Sequence, residues 1–183
     1  MALKLVIFLI GSAFLAYVSR ASLRVPGSHG FYRFLAWEFI IILFLFVLER
    51  WFRDPFSPAQ LISWLLLSIS TYLVLSGIYQ LRMAGRAGAA HREEPLFNFE
   101  KTSTLVTTGP YRFIRHPLYS SLLFLTWGIF FKQTSFVTAF LALAATLLLM
   151  ATARADEAEC LRYFGDAYRH YMRRTKMFIP FIF

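Results

Sequence analysis

Two stretches of this chain run without a charged side chain for as long as a bilayer-spanning helix requires. They are 55–81, between Asp54 and Arg82, and 133–153, between Lys132 and Arg154. Crossing the hydrocarbon takes roughly 17–25 apolar residues in a helix, because each backbone N–H and C=O must be satisfied within the segment. A water-facing domain of 183 residues has too little interior to hide two such stretches together with 21 Phe, 9 Tyr and 4 Trp. Hydrophobic residues make up 58% of the chain and charged residues 16%, which excludes a disordered segment. Cys160 is the single cysteine, so an internal disulfide and a multi-cysteine metal site are excluded as well.

Three more apolar windows complete the pattern. The window between Lys4 and Arg20 becomes long enough, at 3–19, if Lys4 snorkels to the interface. Region 31–52 is apolar around Glu38, and 117–131 leads into a Lys132-Gln133-Thr134-Ser135 turn. The chain therefore reads as an all-α integral membrane protein of about five transmembrane helices, 3–19, 31–52, 59–81, 117–131 and 134–153. A four-span chain and a cleaved leader over 1–19 are the alternatives, but no small-x-small cleavage site precedes Arg20.

Charge sets the expected orientation. Fifteen of the nineteen Lys and Arg fall in the loop after span 1, the loop after span 3 and the C-terminal tail; Lys4, Arg50, Arg53 and Lys132 fall on the other side. The positive-inside rule places the fifteen in the cytoplasm, the N-terminus outside and the C-terminus inside, in a cell membrane or endoplasmic reticulum. The net charge of +9 is then a topology signal, and a nucleic-acid partner is not expected. Three regions follow: a three-span membrane region, 1–81; a cytoplasmic loop, 82–116; and a core, 105–183, made of a two-span hairpin and a cytoplasmic tail.

Chemistry outside the membrane is confined to that loop and tail. Gly109-Pro110 marks a turn, and His116-Pro117 marks a helix start, since proline suits the first helical position. The first amides of span 4 would carry a partial positive charge suited to a carboxylate or phosphate. Span 5 continues as a helix through Arg154, Asp156, Glu157, Glu159 and Arg162, and Gly165 is its expected C-cap. Each feature also has a plainer reading. Asp156-Glu157 reads as a solvated helix face, His116 as a cap, and Arg173, Arg174 and Lys176 as an anchor to anionic lipid headgroups. Glu38, about two turns into a span, reads as half of a buried pair with Arg33 or Arg82, or as the lining of a substrate cavity. No metal site is expected.

Two blocks carry a resemblance. The first is Leu-Val-Thr-Thr-Gly-Pro-Tyr-Arg-Phe-Ile-Arg-His-Pro-Leu-Tyr, 105–119. The second is Asp156-Glu157, then Leu161, Phe164-Gly165, Tyr168 and Tyr171, followed by Phe178-Ile179-Pro180. In order and spacing they resemble the integral-membrane methyltransferases related to isoprenylcysteine carboxyl methyltransferase and the phospholipid N-methyltransferases. The resemblance implies S-adenosyl-L-methionine as methyl donor, held at the cytoplasmic membrane face. It implies cofactor-binding roles for Ser103, Thr104, Leu105, Val106, Tyr111, His116, Pro117, Leu118, Tyr119, Asp156 and Glu157. It also implies a lipophilic or lipid-like acceptor, with carboxylate O-methylation the leading reaction and N- or S-methylation the alternatives.

Two positions depart from the family pattern. Asp156 stands where Glu is usual. Thr152 stands where an Arg usually holds the substrate carboxylate, which leaves Arg154, with Glu157, as the expected catalytic residues. Two other kinds of protein compete with this reading: a membrane reductase and a non-catalytic carrier. A carrier usually places its polar residues within the spans.

Overall fold

The structure is a computed structural model that describes residues 2–84 and 104–182. Seven α-helices account for most of these residues: α1 (Ala2–Val18), α2 (Arg20–Leu23), α3 (His29–Val47), α4 (Pro58–Ala84), α5 (Pro117–Phe130), α6 (Phe136–Phe164) and α7 (Asp166–Arg174). All five expected spans appear as helices. By length and composition α3, α4 and α6 suffice to cross a membrane; α1 and α5 are shorter apolar helices. The chain is thus an all-α membrane protein. At 1.5 Å per residue the 14 residues of α5 extend about 21 Å, well short of a hydrocarbon core of about 30 Å.

Local chemistry starts the helices where the sequence indicates. Ser28 Oγ accepts the Phe31 N–H at the head of α3. Ser135 and Thr138 exchange side-chain bonds with each other's backbone N–H at the head of α6, a capping box with Thr in place of the usual Glu. Gly165, at φ +55°, ends α6 in a conformation that side-chain-bearing residues rarely adopt.

The helices pack through small residues and hydroxyls, as membrane helices do when no hydrophobic force drives them together. Ser63 Oγ donates to Gly128 O and Ser70 Oγ to Ser121 O, each at 2.7 Å, and so join α4 to α5. A Cβ on Gly128 would meet the Leu67 side chain at 2.9 Å, so the close approach needs glycine. Between α3, α5 and α6 the core is Ile40, Leu43, Val47, Ile129, Leu141, Ala142 and Ala145. Helix α1 buries no residue and lies outermost against α3, where Ser12 Oγ donates to Glu38 at 2.9 Å. Glu38 thus has a hydroxyl partner on a neighbouring helix.

One end of the bundle is closed around a lysine. Lys132, at the turn after α5, is 5% exposed. Its Nζ lies 3.1 Å from the centroid of the Trp64 ring, 5.0 Å from that of Trp51 and 2.9 Å from Gln60 Oε1. Gln60 Nε2 donates in turn to the carbonyls of Arg50 and Lys132. Lys4 pairs with Glu49 at 2.8 Å, which makes α1 and α3 antiparallel. Buried at that turn, Lys132 has the indole faces and the amide in place of the water it would otherwise hold. Gln60→Leu should therefore destabilise the protein by about 1.5–3 kcal/mol, the worth of a hydrogen bond to a charged group. In a Lys132→Met background the same change should cost far less. Thermal unfolding of both variants and the double variant in detergent checks this coupling.

Candidate active site

The opposite end of the bundle is built by stitching the two sequence blocks together. Gly109, at φ +57°, turns the chain against α4, where a Cβ would lie 2.7 Å from the Gln80 side chain. A short 3-10 turn, Gly109–Arg112, buries Tyr111. The tail then runs alongside. Lys176 N–H donates to Phe113 O, Arg115 N–H to Lys176 O and His116 N–H to Met177 O. Tyr171 Oη donates to Tyr111 O at 2.7 Å, and Ser120 Oγ to Phe178 O at 2.9 Å. Phe178, 1% exposed, packs with Tyr119 and Ala153 beneath this junction.

The charged side chains at the junction form a connected set. Arg115 Nε lies 2.6 Å from Glu157 Oε1, and its Nη1 donates to the carbonyls of Met172 and Thr175. His116, 5% exposed, lies between the two acids: Nδ1 is 3.3 Å from Asp156 Oδ2 and Nε2 is 3.3 Å from Glu157 Oε1. Its ring stacks on Tyr119 at 5.3 Å. Tyr119 also hydrogen-bonds Asp156. His116 is the N-cap of α5 yet makes no side-chain cap bond, so its imidazole is committed to the acids and not to the helix amides.

This arrangement shifts three titrations. Burial alone would lower His116, but hydrogen bonds to Asp156 and Glu157 outweigh it and the net shift is upward. Burial would raise Asp156, but the bonds from His116 and Tyr119 hold it down to about 2. Glu157 is lowered in the same way, against burial, by His116 and Arg115.

The structure therefore brings together His116, Pro117, Tyr119, Asp156 and Glu157 from the sequence reading. Val106 and Tyr111 are buried in the segment leading in, Leu105 and Leu118 are half-buried, and Thr104 is exposed. Ser103 and most of the 82–116 loop lie outside the described residues. Arg154 is exposed and Thr152 is fully buried, its hydroxyl donating to Leu148 O. Sequence reasoning missed three participants. Arg115 was within the quoted motif, and its adjacency to His116 was the available signal. His29 and Glu159, from α3 and α6, meet at 2.6 Å across 130 residues, and no local pattern announces that contact.

The linkage has a definite sign. A raised His116 contributes stability that is complete below the ordinary histidine value of about 6.5 and is lost as pH rises through the raised value. The two lowered acids contribute stability that is present above their ordinary values and is lost on acidification, for Asp156 through about 2. The thermal midpoint of the protein should accordingly fall as pH rises from about 6.5 to 9. In His116→Gln that alkaline decline should be reduced, whatever the absolute midpoint.

Comparison with known proteins gives the family. Residues 59–167 match the family model described as phospholipid methyltransferase. The chain is 41% identical over 81 residues to the cobalt-zinc-cadmium resistance protein CzcN of Cupriavidus metallidurans, covering 44% of this chain and 37% of that one. It is 38% identical over 81 residues to the nickel-cobalt-cadmium resistance protein NccN of Alcaligenes xylosoxydans xylosoxydans, covering 44% and 38%. It is 27% identical over 128 residues to the methanethiol S-methyltransferase of Crocosphaera subtropica, covering 66% and 44%. The chain thus spans less than half the length of each of these relatives. No solved structure matches it significantly. The family match covers more than half of the chain and takes in α4, α5, α6 and the acidic pair with its histidine, and by it this chain belongs to the phospholipid methyltransferase family.

Proposed function

We propose that this chain transfers the methyl group of S-adenosyl-L-methionine to a lipophilic acceptor at the cytoplasmic face of the membrane. The observation that carries the reading is the joining of His116, Tyr119, Asp156 and Glu157 at the head of α5. The donor set suits the molecule. The N-terminus of α5, with no side-chain cap, favours a carboxylate; carboxylates favour an ammonium, a sulfonium or ribose hydroxyls; aromatic faces favour a base. When bound, the donor would supply an electrophilic methyl on a positively charged sulfur. The residues would hold it, orient it and keep water away, and these effects supply most of the rate in such a displacement.

The acceptor reading rests on two observations. First, the carboxylate-holding Arg of the family pattern is replaced by Thr152, which is buried and bonded to its own helix, while Arg154 is exposed. Second, the longest match among the relatives is to a methanethiol S-methyltransferase. Both favour a small or lipid-borne thiol over a carboxylate. Carboxylate O-methylation is the second reading, and it requires Arg154 to turn inward. The match of shorter stretches to metal-resistance proteins concerns those proteins' names and adds no chemistry here.

His116→Ala and Asp156→Asn should each weaken S-adenosylhomocysteine binding by about ten- to a hundredfold, the worth of a charge-assisted hydrogen bond. Isothermal calorimetry reads this directly, and unchanged affinity in both variants would refute the site. A Cys160→Ala protein carrying single cysteines at 104 or 170 should label from the cytoplasmic side only. Labelling from opposite sides would separate the two motif blocks and end the reading.

A further inference from the structure

Beside the cluster at His116 lies a second histidine that the cofactor reading does not use. His29 is the first residue of α3 and is 1% exposed. Its Nδ1 is 2.6 Å from Glu159 Oε2, and its backbone N–H donates to Glu159 Oε1 at 3.3 Å. Among the described residues its buried Nε2 has no hydrogen-bond partner. A His29 ring nitrogen and carboxylate oxygens of Asp156 and Glu159 all lie within 4.8 Å of one another, so His29 stands next to the acid that faces His116.

The tautomer follows from this geometry. A carboxylate only accepts, so the nitrogen 2.6 Å from Glu159 carries the hydrogen. In its neutral form the ring presents its lone pair at a buried Nε2 that no described residue engages, and burial is outweighed by Glu159 and Asp156, which raise its affinity for a proton. Leaving a buried acceptor unmatched costs stability, and sites where such a cost persists are candidates for function. A carboxylate that orients a histidine and leaves its far nitrogen open is the arrangement of a general base. The alternative is a divalent cation held by the same three residues. Against it, two ligands about 2.1 Å from one ion stand more than 3 Å apart, wider than the 2.6 Å between His29 and Glu159.

We propose that His29, oriented by Glu159, is the base that removes a proton from the methyl acceptor, and that the acceptor is a thiol, which has a proton to lose, and not a carboxylate, which at neutral pH has none. The step rests on the methyltransferase reading above. Nε2 takes the S–H proton. The thiolate pair so released forms a bond to the sulfonium methyl, and the broken carbon–sulfur bond leaves its electron pair on the donor sulfur, which becomes a neutral thioether. The proton returns to water from His29, beside the partly exposed Glu159. A carboxylate acceptor is already ionised at neutral pH and needs no base, whereas an alkyl thiol, a weaker acid than a cysteine side chain, is almost wholly protonated there. The charges facing His29 are Glu159 and Asp156 from α6 and Arg33 from its own helix.

The test uses the full chain in bilayers with ethanethiol and an aryl thiol as acceptors. At about pH 8 the aryl thiol is already a thiolate. His29→Gln should lower turnover of ethanethiol by about a hundredfold or more, the usual contribution of a positioned base. It should lower turnover of the aryl thiol by less than tenfold, and its ethanethiol rate should recover as pH rises toward that thiol's own ionisation. Glu159→Gln should show a smaller loss of the same kind. Mixing ethanethiol with the cofactor-free protein should raise thiolate ultraviolet absorbance in the wild type and not in His29→Gln. Equal losses on both acceptors, no loss on either, or turnover confined to a prenylcysteine carboxylate would overturn the proposal. So would loss of activity on chelation that zinc restores, because that result assigns the three residues to a metal. S-adenosylhomocysteine calorimetry separates the two failures: a wild type that does not bind it sinks the methyltransferase reading, while binding and turnover indifferent to His29 sink only the base.

Discussion

The contact on which the described site depends is that of Arg115 with Glu157. Both side chains are about nine-tenths buried, and either charge would be costly there without a partner. Arg115 gains a carboxylate and two tail carbonyls. Glu157 gains the guanidinium and one edge of His116. Because the arginine belongs to the loop before α5, the acid to α6 and the carbonyls to the end of α7, satisfying one charge fixes three separate segments. The ladder between 113–116 and 176–177, the bond from Tyr171 to Tyr111 and the seating of Phe178 all lie within reach of that fixed point. A buried pair of this kind adds little net stability compared with apolar packing, but removing one partner strands the other. Its role is to specify one docking of the tail among the several that apolar contact alone would permit.

His116 uses that fixed frame. With Glu157 already committed to Arg115, the imidazole is left to bridge a fully paired acid and a second one, Asp156, that is also bonded by Tyr119. Asp156, shorter by one methylene than the Glu of the pattern it resembles, reaches the ring at 3.3 Å, and the ring stacks on Tyr119. The substitution changes reach without removing the contact.

How much of this was legible in the sequence depends on the range of each interaction. The helices were legible because a long apolar run is a local property, and the structure places a helix on each of the five windows, three of them long and apolar enough to cross a membrane. The Gly165 stop and the Pro117 start were legible because caps are local too. The grouping of His116 with Asp156 and Glu157 came from the resemblance, since no pattern within one helix brings α5 and α6 together. His29 with Glu159, and Lys132 with Trp64 and Gln60, stayed hidden for the same reason: each is a buried polar contact across 68 or more positions, and a charged residue bordering a span looks alike whether it faces water or an indole. Glu38 was noticed as costly, but its serine partner on α1 could not be read from its neighbours.

Helix arithmetic accounts for the level at which the site lies. Asp156 is the twenty-first residue of α6, so it lies about 30 Å along the helix from Phe136, which is also the thickness of a hydrocarbon core. The remaining turns of α6 and all of α7, with Arg169, Arg173 and Arg174, extend past that level. If α6 enters the hydrocarbon at Phe136, the acids, His116 and His29 fall at the level where apolar solvent gives way to polar. Deeper, the carboxylates would bear a desolvation cost that no single histidine offsets; farther out, water would screen them. Under the proposed function, that level would let a charged donor come from the aqueous side and an apolar acceptor from between the helices, each without leaving its own solvent.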